Sequence, residues 1–252
     1  MKPQVPGSDP RYARQVDLPE IGPAGQNKLA KCKVLVIGAG GLGSPLLFGL
    51  TGAGVGHLTI VDHDRVSESN LNRQFLYQAA EIGSLKAEQA ARRLKAYHPD
   101  LSVQAVTEPL SDLNGAVLIG SHDLVVAAVD SRQSRLLINQ ICCKLGKTMV
   151  DGGVHGLDGY LAVIEPGRTP CYRCLFGIGP TDSKVSGSVL GSVAGTIGSM
   201  EATLAILLLL GQENPLAGEI LFVDLKSMAF DRLKIRRNPD CPHCAALQVT
   251  AD

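Results

Sequence analysis

The 252-residue sequence has no excess charge of either sign. Lys and Arg together number 24, and so do Asp and Glu, so bulk electrostatics point to neither a nucleic acid nor a membrane surface as partner. A long apolar run is missing too. The most apolar stretch, ATLAILLLL at 202–210, falls far short of the roughly 20 residues of a membrane span. The opening MKPQVPGSDP contains no apolar core segment and does not read as a signal peptide. Internal repeats, low-complexity tracts and clear linkers are also lacking. These absences lead us to expect a soluble, cytoplasmic protein folded as one domain over residues 1–252.

Cysteine is present in an odd number, seven. Four of these fall into two C-x-x-C pairs, Cys171 with Cys174 and Cys241 with Cys244. Without an export signal, that spacing suggests metal or redox chemistry before structural disulfides. Two such pairs in one chain favour a metal, with dithiol redox chemistry as the alternative. Cys32, Cys142 and Cys143 read as small apolar packing residues.

Apolar strands alternate with helical patterns through the first part of the chain. Strands are expected at 33–38, 57–62, 123–130 and about 147–154. Helices are expected at 41–54, 84–99 and about 132–145. Strands that are apolar throughout argue for a parallel sheet covered on both faces, and so for an α/β fold of Rossmann type. After residue 155 the rhythm changes. A strand at 160–166 leads into a cysteine-bearing loop, a Gly- and Ser-rich segment at 176–198 precedes a helix at about 199–211, and EILFVDL and MAFDRLKIRR read as an antiparallel pair. The expected organisation is a helical arm over about 1–31, a nucleotide-binding core over about 32–155 and a C-terminal part over about 156–252.

VLVIGAGGLGSP at 34–45 is a strand running into glycines and then a helix, with Gly38, Gly40 and Gly43 in G-x-G-x-x-G spacing. Such glycines permit a tight bend and leave helix amides facing negative charge. Asp62, about 20 residues on, stands where a carboxylate accepts hydrogen bonds from ribose hydroxyls. NAD and ATP fit equally at this point. A P-loop is excluded, because Ser44 occupies the position of its lysine. The following segment, SNLNRQFL at 69–76, is rich in amides and carries Arg73, with Lys86 beyond it. A triphosphate attacked at its α-phosphorus needs cations to neutralise charge in the transition state, which these two could supply. Taken singly, each reads as a solvated surface charge. Asp130, at the C-terminal end of its strand, faces the crevice where such folds bind ligands and could hold Mg²⁺. As a bland alternative it caps the next helix.

The set RYARQ, LPEIGPAGQNKL, GAGGLGSP, VDHDRVSESNLNRQFLY, IGSLKAEQAARRL, LINQICCKLGK, PCYRCLF and NPDCPHC, spanning about residues 11–245, resembles the ubiquitin-activating-type adenylyltransferases of the ThiF/MoeB/HesA group. The resemblance implies a Rossmann-like sheet and a reaction in which ATP·Mg²⁺ adenylates the C-terminal Gly-Gly carboxylate of a small ubiquitin-like sulfur-carrier protein. The products would be carrier acyl-AMP and pyrophosphate, in the making of molybdopterin, thiamin or another sulfur-containing metabolite. It assigns Gly40 and Gly41 to the backbone cradle and Asp62 to the ribose. Asn70 and Arg73 fall on the phosphate side with Gln74 beside them, Lys86 is the phosphate lysine, and Asp130 is the magnesium carboxylate. Arg14 matches an arginine lent to the partner subunit's site, which implies a homodimer. Cys171, Cys174, Cys241 and Cys244 match a structural Cys₄ zinc site.

The chain departs from that pattern in places. Some relatives form a thioester or persulfide on a cysteine in the segment that here reads TDSKVSGSVLG, residues 181–191, where Ser183 stands instead. A serine lacks the accessible thiolate, so no covalent carrier–enzyme intermediate is expected. Ser131 replaces an Asn that relatives carry, at a position on the nucleotide side. No fused sulfurtransferase segment follows the second cysteine pair, so sulfur is expected from a separate donor. Competing readings are an NAD-dependent oxidoreductase, a zinc-stabilised module that binds a ubiquitin-like tail without chemistry, and an ATP-dependent enzyme activating a carboxylate on RNA or a small molecule.

Overall fold

The computed structural model describes residues 9–177 and 188–247. Its centre is an eight-stranded sheet in the order β3-β2-β1-β4-β5-β6-β7-β8. Strands β1 (Lys33–Ile37), β2 (His57–Val61), β3 (Ser102–Val106), β4 (Leu124–Ala127) and β5 (Met149–His155) run parallel. Strands β6 (Asp158–Ile164), β7 (Glu219–Asp224) and β8 (Ala229–Lys234) continue it antiparallel, as the C-terminal pattern predicts.

Alternation along the parallel strands splits the core in two, because successive side chains point to opposite faces. Val34 and Val36 face one buried cluster, which they share with helices α3 (Gly43–Gly52), α4 (Lys86–Tyr97) and α8 (Gly191–Leu210). Leu35 and Ile37 face the other, shared with α5 (Gly115–Gly120), α6 (Arg132–Leu145) and the short α7 (Tyr172–Phe176). The arm, α1 (Ala13–Val16) and α2 (Gly22–Leu29), is tied to the C-terminal end of α3 through Gln26 and Gln15, both of which donate to the Ala53 carbonyl.

Several elements differ from expectation, among them the short α7 within the expected cysteine-bearing loop. Strand β3 was not foreseen, because SVQAV lies at the sheet edge and is only half-buried, so it shows no apolar run. Helix α5 is six residues long and likewise lacks a readable period. Helix α8 begins at Gly191, eight residues before the expected start near 199. At 20 residues it is therefore long and apolar enough, by length and composition, to cross a membrane, although half of that stretch is buried inside the fold. Its apolarity serves packing against α3, β5 and β6.

Candidate nucleotide crevice and thiolate clasp

The crevice lies where the strand order reverses, between the C-terminal ends of β1 and β4, the usual ligand position in such sheets. The chain leaves β1 at Gly38, whose φ of +99° suits glycine alone, and a Cβ there would stand 2.3 Å from the Ala128 carbonyl oxygen. A Cβ on Gly43 would stand 2.2 Å from the Gly38 carbonyl oxygen, so the turn closes on itself through two glycines. The amides of Gly40, Gly41 and Leu42 have no acceptor among the described residues. They open at the N-terminus of α3, where the helix dipole favours negative charge.

Asp62 follows β2 directly. One carboxylate oxygen accepts the Ala39 amide at 2.8 Å and the other accepts the Asp64 amide at 2.9 Å. Segment 69–76 folds over the glycine turn. Asn70 is at the end of a 3₁₀ turn, and its carbonyl accepts the amides of Arg73 and Gln74. Arg73 donates to the Ser69 carbonyl and the Asn72 side chain, and its Cγ would lie 3.4 Å from a Cβ on Gly41. Gln74 is buried with its Nε2 beside Gly40, and among the described residues its Oε1 has no hydrogen-bond partner. A buried carbonyl oxygen left unpaired costs about 1–3 kcal/mol, a cost that a ligand donor in the crevice would relieve.

Lys86 is not the solvated charge that its isolated reading suggests. It is 5% exposed and opens α4, with its ammonium 2.9 Å from Asp64. An ammonium at a helix N-terminus opposes the dipole, and Asp64 offsets this. Asp64 escaped the sequence reading, although its spacing two residues after Asp62 in VDHD was the available signal. Asp130 lies exposed beyond the end of β4, and among the described residues its carboxylate has no hydrogen-bond partner. The capping role belongs to its neighbour. Ser131 is the N-cap of α6, accepting the Ser134 amide at 3.0 Å and donating to the Ser134 hydroxyl at 2.7 Å.

Arg14 is exposed on α1 and is not brought to this crevice. The arm holding it is fixed at the far end of α3, about 15 Å along the helix from the glycine turn. Ser183 and most of the 181–191 segment lie outside the described residues.

On the opposite sheet face the two cysteine pairs meet. Cys171 precedes α7 and Cys174 lies within it, while Cys241 and Cys244 come from the C-terminal segment, and all four Sγ atoms lie within 4.8 Å of one another. Three of the contacts are 3.9 Å (Cys171–Cys174), 3.6 Å (Cys171–Cys241) and 3.6 Å (Cys174–Cys244). Zinc–sulfur bonds of about 2.3 Å place tetrahedral thiolates about 3.8 Å apart, so the set fits a zinc ion. Around it, Asn139 on α6 is fully buried, accepting the Tyr172 amide and pairing with His243 Nδ1, both at 2.8 Å. His243 is thereby engaged outside the quartet. Cys32, Cys142 and Cys143 are buried, and burial pushes the Cys142 thiol up to about 12, which suits packing.

Comparison with known proteins places the chain among relatives of one family. The sulfur carrier protein adenylyltransferase of Thermus thermophilus is 41% identical over 243 residues, covering 93% of this chain and 90% of that protein. The SAMP-activating enzyme E1 of Haloferax volcanii is 39% identical, covering 93% and 88%. The adenylyltransferase and sulfurtransferase MOCS3 of Drosophila sechellia is also 39% identical, but this chain covers only 53% of it. Among solved structures, E. coli MccB with ATP shares the fold at a TM-score of 0.81 and 21% identity, over 95% of this chain and 76% of that one. Residues 12–243 match the ThiF family, and the chain belongs to it.

Proposed function

We propose that the protein adenylates the C-terminal carboxylate of a small ubiquitin-like sulfur carrier ending in Gly-Gly. A carboxylate oxygen of the carrier bonds to the α-phosphorus of ATP, the bond from that phosphorus to the bridging oxygen breaks, and pyrophosphate leaves with the electron pair. The attacking group is already ionised at neutral pH, so the protein need supply no base. Its task is positioning and charge neutralisation.

The observation carrying this reading is the convergence, around the C-terminal ends of β1 and β2, of three amides and a Gln74 oxygen without partners among the described residues, with Asp62 and the ammonium of Lys86. Gly38 and Gly43 shape the turn, while the amides at Gly40 and Gly41 cradle phosphate. Asp62 keeps lone pairs free for ribose hydroxyls. Arg73 and Lys86 oppose the charge that develops on the phosphates, with Asn70 and Gln74 lining the same side and Ser131 holding the turn beside them. Asp130 would hold Mg²⁺, which supplies further neutralisation when bound. Cys171, Cys174, Cys241 and Cys244 would hold a structural zinc.

The remoteness of Arg14 from its own crevice suits a homodimer in which it completes the partner's site. The chain works as one adenylation unit, Ser183 forms no covalent bond to the carrier, and sulfur comes from a separate donor. ATP–pyrophosphate exchange with a panel of Gly-Gly carriers tests the reading. Carrier-dependent exchange that falls by about 10²–10³ in Arg73→Ala, the usual cost of one charge-stabilising donor, supports it. Binding of NAD and not ATP would overturn it.

A further inference from the structure

Helix α6 joins the crevice to the buried interior within a single turn. The Ser131 carbonyl accepts the Arg135 amide at 3.2 Å, so Arg135 sits one turn beyond the Asp130–Ser131 corner. Its Nε donates to Asp151 Oδ1 at 2.8 Å and its Nη2 donates to the Gly152 carbonyl at 2.6 Å. The Tyr160 hydroxyl, from β6, donates to Asp151 Oδ2 at 2.8 Å. Arg135 is 7% exposed and Asp151 is fully buried. Asp151 pairs in register with Ala127, the last residue of β4 and three before Asp130.

A buried ion pair is no more stabilising than apolar side chains of similar volume. What it adds is direction. A planar guanidinium bound to two fixed acceptors allows the first turn of α6 one height and one azimuth over β5. Asp130 needs such a constraint, since its own carboxylate has no hydrogen-bond partner among the described residues. Its place is set by the end of β4 on one side and the start of α6 on the other.

We propose that Arg135 is a positioning residue for adenylyl transfer: held by Asp151 and Gly152, it fixes the Asp130–Ser131 corner so that Asp130 meets metal-bound triphosphate. The proposal rests on the adenylation reading. Arg135→Lys keeps the charge but replaces the fork with a single point donor, and Tyr160→Phe removes only the third hydrogen bond, so folding is retained if the first variant fails.

The test is calorimetric titration of ATP into the full chain, with Mg²⁺ and with EDTA. Arg135→Lys is expected to weaken ATP binding about tenfold with Mg²⁺ and less than about twofold with EDTA, with Tyr160→Phe moving the same way by about twofold. In an Asp130→Asn background the Mg²⁺-dependent loss disappears. Equal losses with and without metal, or effects that add to Asp130→Asn, would overturn the proposal while leaving adenylation standing. Wild-type protein that binds NAD and not ATP would overturn both.

Discussion

The crevice and the clasp are built on opposite principles within one fold. In the clasp, four sulfurs lie within 4.8 Å of one another, three pairs at 3.6–3.9 Å, and the flanking amide of Tyr172 and Nδ1 of His243 both pair with Asn139. In the crevice, three amides point at no acceptor, the Gln74 oxygen is buried without a donor, and Asp130 stands free among the described residues. Unsatisfied polar groups cost stability, and a fold retains them where a ligand completes them. On the proposed reading, the clasp is closed because it would hold the chain together around a metal, and the crevice is open because substrate would supply the missing partners.

The largest effect expected of this contrast concerns metal removal. Losing about 5 kcal/mol, a modest share of the apparent binding energy of structural zinc, lowers the thermal midpoint of a chain this size by roughly 10–20 °C. Chelation followed by a melting curve checks this, and Cys241→Ser should mimic it. No shift would mean that the thiols need no metal, and the contrast would fail.

A smaller effect concerns Glu201 on α8, fully buried against Gly152 with no side-chain hydrogen-bond partner among the described residues. Burial raises it well above the carboxylate range. An acid raised in the folded state contributes stability that is present below its unfolded value and lost as pH rises toward the folded one. Denaturant midpoints of the wild type should therefore decline from about pH 4.5 upward relative to Glu201→Gln, whose profile is flatter. Parallel profiles would contradict the assignment. The smallest effect is Ser131→Ala, which removes the α6 cap and costs about 1 kcal/mol, or about 2–4 °C in the melting midpoint.

Features carried by local pattern were legible in the sequence, whereas those made by distant pairing were not. The strand–glycine–helix–strand–acid series from Val34 to Asp62 and the two C-x-x-C pairs are short and regular, and α6 spans the expected Arg132–Leu145. Helix α8 was shortened because GSVAGTIG carries three glycines, poor helix formers. It is helical there because a Cβ at Gly198 would stand 2.3 Å from the Leu42 carbonyl oxygen, so small residues let α8 lie close on α3. Lys86 gave no sign of being buried, since its partner Asp64 lies 22 residues away. Arg135 and Asp151, 16 residues apart, form no motif at all.

Everything proposed for the crevice turns on adenylation of a carrier tail without a covalent enzyme–carrier species. Intact mass spectrometry of a Gly-Gly carrier incubated with the protein, ATP and Mg²⁺ tests it most directly. The expected product is a carrier bearing one adenylate, absent when the terminal glycine is deleted, with the enzyme's own mass unchanged. A carrier left unmodified by protein that binds ATP, or an enzyme that gains the mass of the carrier, would contradict it.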